Sequence, residues 1–238
     1  MPVCCGARVS TRPALKIAEL FYSIQGEGSL VGVPSVFIRT SGCNLRCSWC
    51  DTPYTSWKPE GTELTLDQIL DEVRAHPARH VVVTGGEPMI APDIIPLTAR
   101  LRERGLHITI ETAGTVFTPV SCDLMSISPK LANSTPDDPR WGRQHERLRI
   151  QPAVLAELMM RYEYQLKFVI ERPDDLDEVR SLVESLGADR EHVILMAEGT
   201  DAERLRERSL WLAELSKSDG FRFSPRLHVD LWGNRRGV

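Results

Sequence analysis

The chain has 238 residues, 42% hydrophobic and 26% charged, which suits one large α/β domain with a buried core. A formal net charge of −4 argues against a generic nucleic-acid binder or membrane-surface protein, and no apolar run approaches the roughly 18 residues of a membrane-spanning helix. Six cysteines invite a disulfide reading, yet three are clustered, Cys4 adjoins Cys5 and Cys122 stands alone, so a reduced, cytoplasmic setting fits better.

The opening run MPVCCGARVSTRPALK lacks the apolar stretch of a secretory signal. It reads as a disordered lead-in over residues 1–14, ahead of a core domain over 15–238. Residues 15–24 (LKIAELFYSI) predict a strand, closed by the turn Gln25-Gly26-Glu27-Gly28. A second strand, 34–40, runs straight into a cysteine loop. Thr65 opens a helix through a capping box with Gln68, and Leu66, Ile69, Leu70 and Val73 recur on one face. Strands follow at 81–84 and 107–112, flanking a helix at about 93–104, and another strand ends at 128–130. The segment 131–150 is polar and reads as a loop-like insertion near the site. A strand at 165–170 precedes a helix from about 174, with Leu176, Val179, Leu182, Val183 and Leu186 as its apolar face. A strand at 193–196, a helix from about 201 and a final strand at 221–229 complete the chain. Apolar, β-branched strands alternating with helices imply a parallel sheet covered by helices. The strand count predicts a single-domain, incomplete (β/α) barrel.

Cys43, Cys47 and Cys50 stand in GCNLRCSWCDT with the spacing C-x3-C-x2-C. A structural zinc site wants four closed ligands. The fourth would be Asp51 or a remote Cys or His, which leaves a zinc-stabilised, non-catalytic module as the weaker reading. Three thiolates suit a [4Fe–4S] cluster with one iron open to a small molecule. Thr84-Gly85-Gly86-Glu87-Pro88 follows a strand, where glycines let backbone approach a ligand, although many ordinary turns look the same. Ser128-Pro129-Lys130 ends another strand. Lys130 is either solvated or aimed at the ligand, and the rule that strand C-termini line the site in α/β folds favours the second.

The cysteine loop directly after a strand, followed by the GGEP turn, resembles the radical S-adenosylmethionine superfamily. The resemblance implies that S-adenosylmethionine chelates the open iron, that Trp49 stands against its adenine and that Gly86 receives its amino end. It also implies cofactor contacts from Asp51, Ser128, Pro129, Lys130 and the segment Met196-Ala197-Glu198-Gly199. That last segment departs from the Gln-Pro frequent in relatives, so only backbone contacts carry over there.

With Gln25–Gly28 ahead of the cysteines and Thr52 behind them, SIQGEGSLVGVPSVFIRTSGCNLRCSWCDTPYTSW resembles the 7-carboxy-7-deazaguanine synthase family. The resemblance runs from about residue 17 to the C-terminus. It implies ring contraction of 6-carboxy-5,6,7,8-tetrahydropterin to 7-carboxy-7-deazaguanine with loss of ammonia, in queuosine and 7-deazapurine biosynthesis. The implied cofactors are a [4Fe–4S] cluster, S-adenosylmethionine and Mg2+, the last on the Thr52 hydroxyl, which is otherwise a turn residue. Ile24, Gln25, Gly26, Glu27 and Thr84 would meet the pterin, and Arg39 its carboxylate; otherwise Arg39 is a surface ion pair. His228, in the C-terminal RLHVDLWGNRRGV, is a substrate neighbour or a satisfied interior histidine. Arg235 and Arg236 read as solvated, Trp57 and Trp141 as packing or lid residues, and Cys4, Cys5 and Cys122 as incidental. The implied partners are a flavodoxin-like reductant and a second copy in a homodimer. A glycyl-radical activase, acting on a protein, shares the cysteine loop and GGEP and is the rival within the superfamily.

Overall fold

The computed structural model describes residues 13–238. Most of the lead-in expected over 1–14, with Cys4 and Cys5, lies outside the described residues, and Ala14 already belongs to the first strand. In chain order the elements are β1 (Ala14–Ile24), β2 (Pro34–Thr40), α1 (Pro53–Ser56), β3 (Thr62–Thr65), α2 (Leu66–Arg74), β4 (His80–Gly85), α3 (Ile94–Arg102), β5 (His107–Thr112) and β6 (Leu124–Ile127). They continue through α4 (Pro139–Leu148), α5 (Pro152–Arg161), β7 (Tyr164–Ile170), α6 (Asp175–Leu186), β8 (Val193–Ala197), α7 (Ala202–Asp219), β9 (Arg222–Ser224) and α8 (Leu227–Trp232).

One sheet runs in the order β3-β1-β2-β4-β5-β6-β7-β8-β9. β1 is antiparallel to both its neighbours, with Leu20 opposite Ile38 and Phe21 opposite Phe37. From β2 onward every pairing is parallel. The end strands β3 and β9 are not paired to each other, so the sheet stays open, as the predicted incomplete barrel requires. The face of the parallel strands that the helices cover is apolar, whereas the inner face carries Thr84, Glu111, Ser126 and Lys167 among its side chains. Val81, Val82 and Val83 are buried, as are Phe168 and Leu195 in the neighbouring strands. On α2, Leu66, Ile69, Leu70 and Val73 are all buried, and Thr65 closes the predicted capping box with Gln68.

Two expectations are corrected. The expected strand over 221–229 ends at Ser224; Pro225 lacks the N–H that a ladder needs, and the chain turns into α8, which carries His228. The expected loop over 131–150 contains α4. Asp138 caps it, its Oδ1 accepting from the backbone N–H of Arg140 (2.9 Å) and Trp141 (2.8 Å), with Pro139 in the first turn. The helix is mostly polar because only a narrow stripe is covered: Gly142 and His145 are buried, while Arg140, Arg143 and Arg147 are exposed.

Candidate active site

Parallel strands bring their C-terminal ends to one rim, and a cavity of about 460 Å³ opens there. Cys43, Cys47 and Cys50 line one wall with Leu45 and Trp49. Two sides brace their loop. On the first, Gly86 N–H donates to Thr40 O (3.2 Å) and Glu87 N–H to Gly42 O (2.9 Å). A Cβ on Gly86 would lie 2.1 Å from Gly42 O and 2.9 Å from Cys43 Cβ, so only glycine allows this approach. The buried Glu87 carboxylate accepts from Met89 N–H, Thr112 Oγ1 and Ala113 N–H, which ties the turn to the end of β5. Burial still holds its pKa above the ordinary carboxylate range.

On the second side, Arg46 N–H donates to His145 Nδ1 (3.2 Å), Ser48 N–H to Ser134 O (2.8 Å) and Trp49 Nε1 to Asn133 O (3.0 Å). Burial pushes the Cys43 and Cys47 thiols up to about 12, so they ionise only against a positive centre. No described cysteine is in a disulfide. Among the described residues no three His, Cys, Asp or Glu side chains gather as ligands of a single metal ion. Three thiols along one cavity wall are a donor set that fits a multi-iron cluster better than one zinc.

The opposite wall carries a chain of paired charges. Glu27 lies between Lys167 Nζ and Arg226 Nε, the latter 3.0 Å from Oε1. Arg226 also donates to Gly199 O and to Asp51. Lys167 Nζ stands 4.0 Å from Glu111 Oε1, and Glu111 accepts from Gln25 Nε2 (3.1 Å) and Thr84 Oγ1 (2.8 Å). Gln25 Oε1 in turn accepts from Glu27 N–H. Burial alone would raise the Glu27 carboxyl; Lys167 and then Arg226 overcome it and hold the group well below the ordinary range. Burial likewise opposes the Lys167 charge, and Glu27 with Glu111 restores it. Arg39 Nε lies 2.8 Å from Glu19 Oε2 without the alignment of a hydrogen bond, and Tyr54 Oη donates to the same oxygen. His228 is packed against Gly26, where a Cβ would fall 2.0 Å from its Nδ1. Burial lowers the His228 pKa against the opposing pull of Glu27. Asn234 to Val238 line the cavity too, and the Arg236 guanidinium lies 3.5 Å from the centroid of the Tyr54 ring with Glu60 as its ion-pair partner. Arg236 is exposed, as expected, with these two partners at the cavity mouth.

The structure brings nearly all the predicted site residues to this cavity. Ile24 to Glu27, Arg39, Asp51, Thr52, Thr84, Gly86, Ser128, Met196, Glu198, Gly199 and His228 line it with the three cysteines. Lys130 lines it as well, its Nζ bonded to Ser128 O and Oγ and 6.0 Å from the centre of the Trp49 ring. Pro129 and Ala197 do not line the cavity. Strand alternation turns Met196 toward the ligand side and Ala197 into the core. The Glu198 carboxylate is committed to Arg208. The sequence reading missed Lys167, Arg226 and Glu111. Lys167 is a lone cation inside the apolar strand QLKFVI, and a central strand charge is a signal in itself.

Residues 37–131 match the family model of the Radical SAM superfamily. The 7-carboxy-7-deazaguanine synthase of Rhodopirellula baltica is 46% identical over 233 residues, covering 96% of this chain and 91% of that protein. The chain belongs to the 7-carboxy-7-deazaguanine synthase family. The synthase of that name from Halobacterium salinarum is also 46% identical, across 93% of this chain and 92% of its own length. The crystal structure of QueE from Escherichia coli matches with a TM-score of 0.67 at 27% identity, over 90% of this chain and 95% of that one. The fold is thus the radical S-adenosylmethionine core of the synthase family, an open, largely parallel sheet. The superfamily match contains the cysteine loop and GGEP, whereas Gln25–Glu27, Lys167 and Arg226 fall outside it.

Proposed function

We propose that this chain is a 7-carboxy-7-deazaguanine synthase, a carbon–nitrogen lyase that contracts 6-carboxy-5,6,7,8-tetrahydropterin to 7-carboxy-7-deazaguanine with release of ammonia. One observation carries the reading beyond the superfamily: the three thiols and the Gln25–Glu27–Lys167–Glu111 array open on the same small cavity. A flat pterin with a dense donor and acceptor edge needs such an array, and a protein segment does not, which weighs against a glycyl-radical activase.

Cys43, Cys47 and Cys50 would hold a [4Fe–4S] cluster, with Trp49, Asp51, Gly86, Ser128 and Lys130 around S-adenosylmethionine; the cluster and cofactor together supply a carbon radical able to take hydrogen. The chain itself binds, orients and shields. Gln25 and Glu27 meet the pterin edge with the backbone of Ile24 and Gly26, and Thr84 positions Glu111 beside it. The Arg39 guanidinium, paired with Glu19 in this structure, would pair with the substrate carboxylate. Thr52 Oγ1, which lines the cavity, would offer an oxygen to Mg2+, an ion that prefers oxygen donors and keeps several waters. Asn234 to Val238 cover the cavity as the C-terminal part of a single domain from residue 15. The reading includes a homodimer, a flavodoxin-like reductant and a reduced, cytoplasmic setting in queuosine biosynthesis. No helix of the described residues is long and apolar enough to cross a membrane.

Anaerobic reconstitution tests the reading. It expects about four irons and four sulfides per chain, lost in Cys43→Ala, and conversion of the carboxytetrahydropterin to the deazaguanine without net loss of S-adenosylmethionine. One zinc and no iron, or cofactor cleavage uncoupled from any deazaguanine, would sink it.

A further inference from the structure

α4 does two things at once. Its inward face holds the cysteine loop: His145 Nδ1 accepts from Arg46 N–H, and Leu148 packs against the small cluster of Leu45, Cys47 and Ala113. Its outward face presents Arg140, Arg143 and Arg147, spaced i, i+3, i+7 along one stripe and all exposed. No ion pair joins these three to an acid among the described residues. The nearby carboxylates are otherwise engaged, Asp138 in capping the helix and Glu146 with Thr135 and Arg149; Asp137 is the exposed acid at the N-terminal edge. In a chain of net charge −4, three unpaired arginines on one short helix form a local positive field.

The patch is also wired to the cysteines. The Arg46 and Arg140 guanidinium groups lie 4.6 Å and 5.1 Å from the centre of the Trp141 ring. Trp141 meets Trp57 edge to face at 6.5 Å, and Trp57 Nε1 donates to Cys47 O at 3.1 Å. Two indole rings therefore span from the arginine stripe to a proposed cluster ligand.

We infer that the outward face of α4, with Arg46 and Trp141, is the docking surface for a small acidic one-electron carrier protein of the flavodoxin type. This rests on the function proposed above, in which an outside donor must give the cluster one electron. The exchange balances simply: the reduced carrier loses one electron, the cluster gains it and no atom moves. Charge complementarity selects an acidic partner and makes its approach dependent on salt.

The test titrates a purified acidic flavodoxin into the full-length protein and reads affinity by calorimetry at low and at physiological salt. The charge reversal Arg140→Glu/Arg143→Glu/Arg147→Glu is expected to weaken binding at least about tenfold and to flatten its salt dependence. The neutral triple Arg→Gln falls between, and Arg204→Glu/Arg206→Glu on α7 binds like wild type. Flavodoxin-driven turnover falls with binding, whereas dithionite-driven turnover is unchanged in every variant. Equal affinity and salt dependence in the charge reversal, or equal loss in the α7 control, overturns the inference. So does loss of RNA binding or of self-association in the reversal while flavodoxin affinity holds. Failure of the wild type to assemble a cluster would instead sink the proposed function, since carrier affinity is read without turnover.

Discussion

Lys167 and Glu27 show how far single residues depend on one another in this site. Lys167 is buried and Glu27 largely so, their contact is direct, and each holds the other in its charged form. Removing one partner of a buried pair strands the other charge, a loss of about 3–5 kcal/mol, whereas removing both is much milder. Lys167→Met is therefore expected to lower unfolding free energy by several kcal/mol, and Lys167→Met/Glu27→Gln to recover most of it. Urea unfolding of the four members of this cycle checks the coupling; a single variant as stable as wild type would rule out the pairing as an energetic unit. At this scale the sequence was legible where a motif surrounds the residue. Gln25, Glu27, Arg39 and Thr84 sit beside glycines or at strand ends, and all reach the cavity. Lys167 and Arg226 carry no such flag, because their role is to answer a carboxylate 140 and 199 residues away.

Elements were legible in proportion to their periodicity. β2 and β5 match their expected spans, and α2 and α6 bury the stripes expected of them, with Leu186 at the edge of its stripe. α4 escaped because its covered stripe is Gly142, His145 and the half-buried Leu148 amid arginines, with no aliphatic repeat; its one local signal was the Asp138-Pro139 start. The turn after β4 meets the cysteine loop through close backbone contact. Gly86→Ala would place a methyl 2.1 Å from Gly42 O and push the turn off the cysteine loop. The expected result is a folded protein with unchanged circular dichroism that retains less than about half its iron on reconstitution, an overpacking strain of roughly 1–3 kcal/mol acting on the loop. Full iron content with wild-type affinity for S-adenosylmethionine would show that the loop can yield.

Over the whole molecule, stability follows pH through groups that folding buries. His145 is almost fully buried between the cysteine loop and Ser134, and burial lowers its pKa from 6.5 to about 4. The folded state thus prefers the neutral ring. Its contribution is complete above pH 6.5 and drains as pH falls toward 4, because only the unfolded chain then takes up the proton. From pH 7 to 5 the decline from this group is about 2 kcal/mol, and His145→Gln should flatten the urea-unfolding profile over that window. A parallel profile in the variant would place the acid sensitivity elsewhere. The amino-acid sequence alone determined the strand–helix alternation, the open barrel class and the cysteine and glycine landmarks, because hydrophobic period and glycine geometry are local properties of the chain. Only the tertiary structure decided that Arg226 and Lys167 share Glu27, that α4 closes over the cysteine loop and that Ala197 turns away from the cavity. Those depend on long-range contact, on burial and on strand phase, which no short stretch of sequence contains.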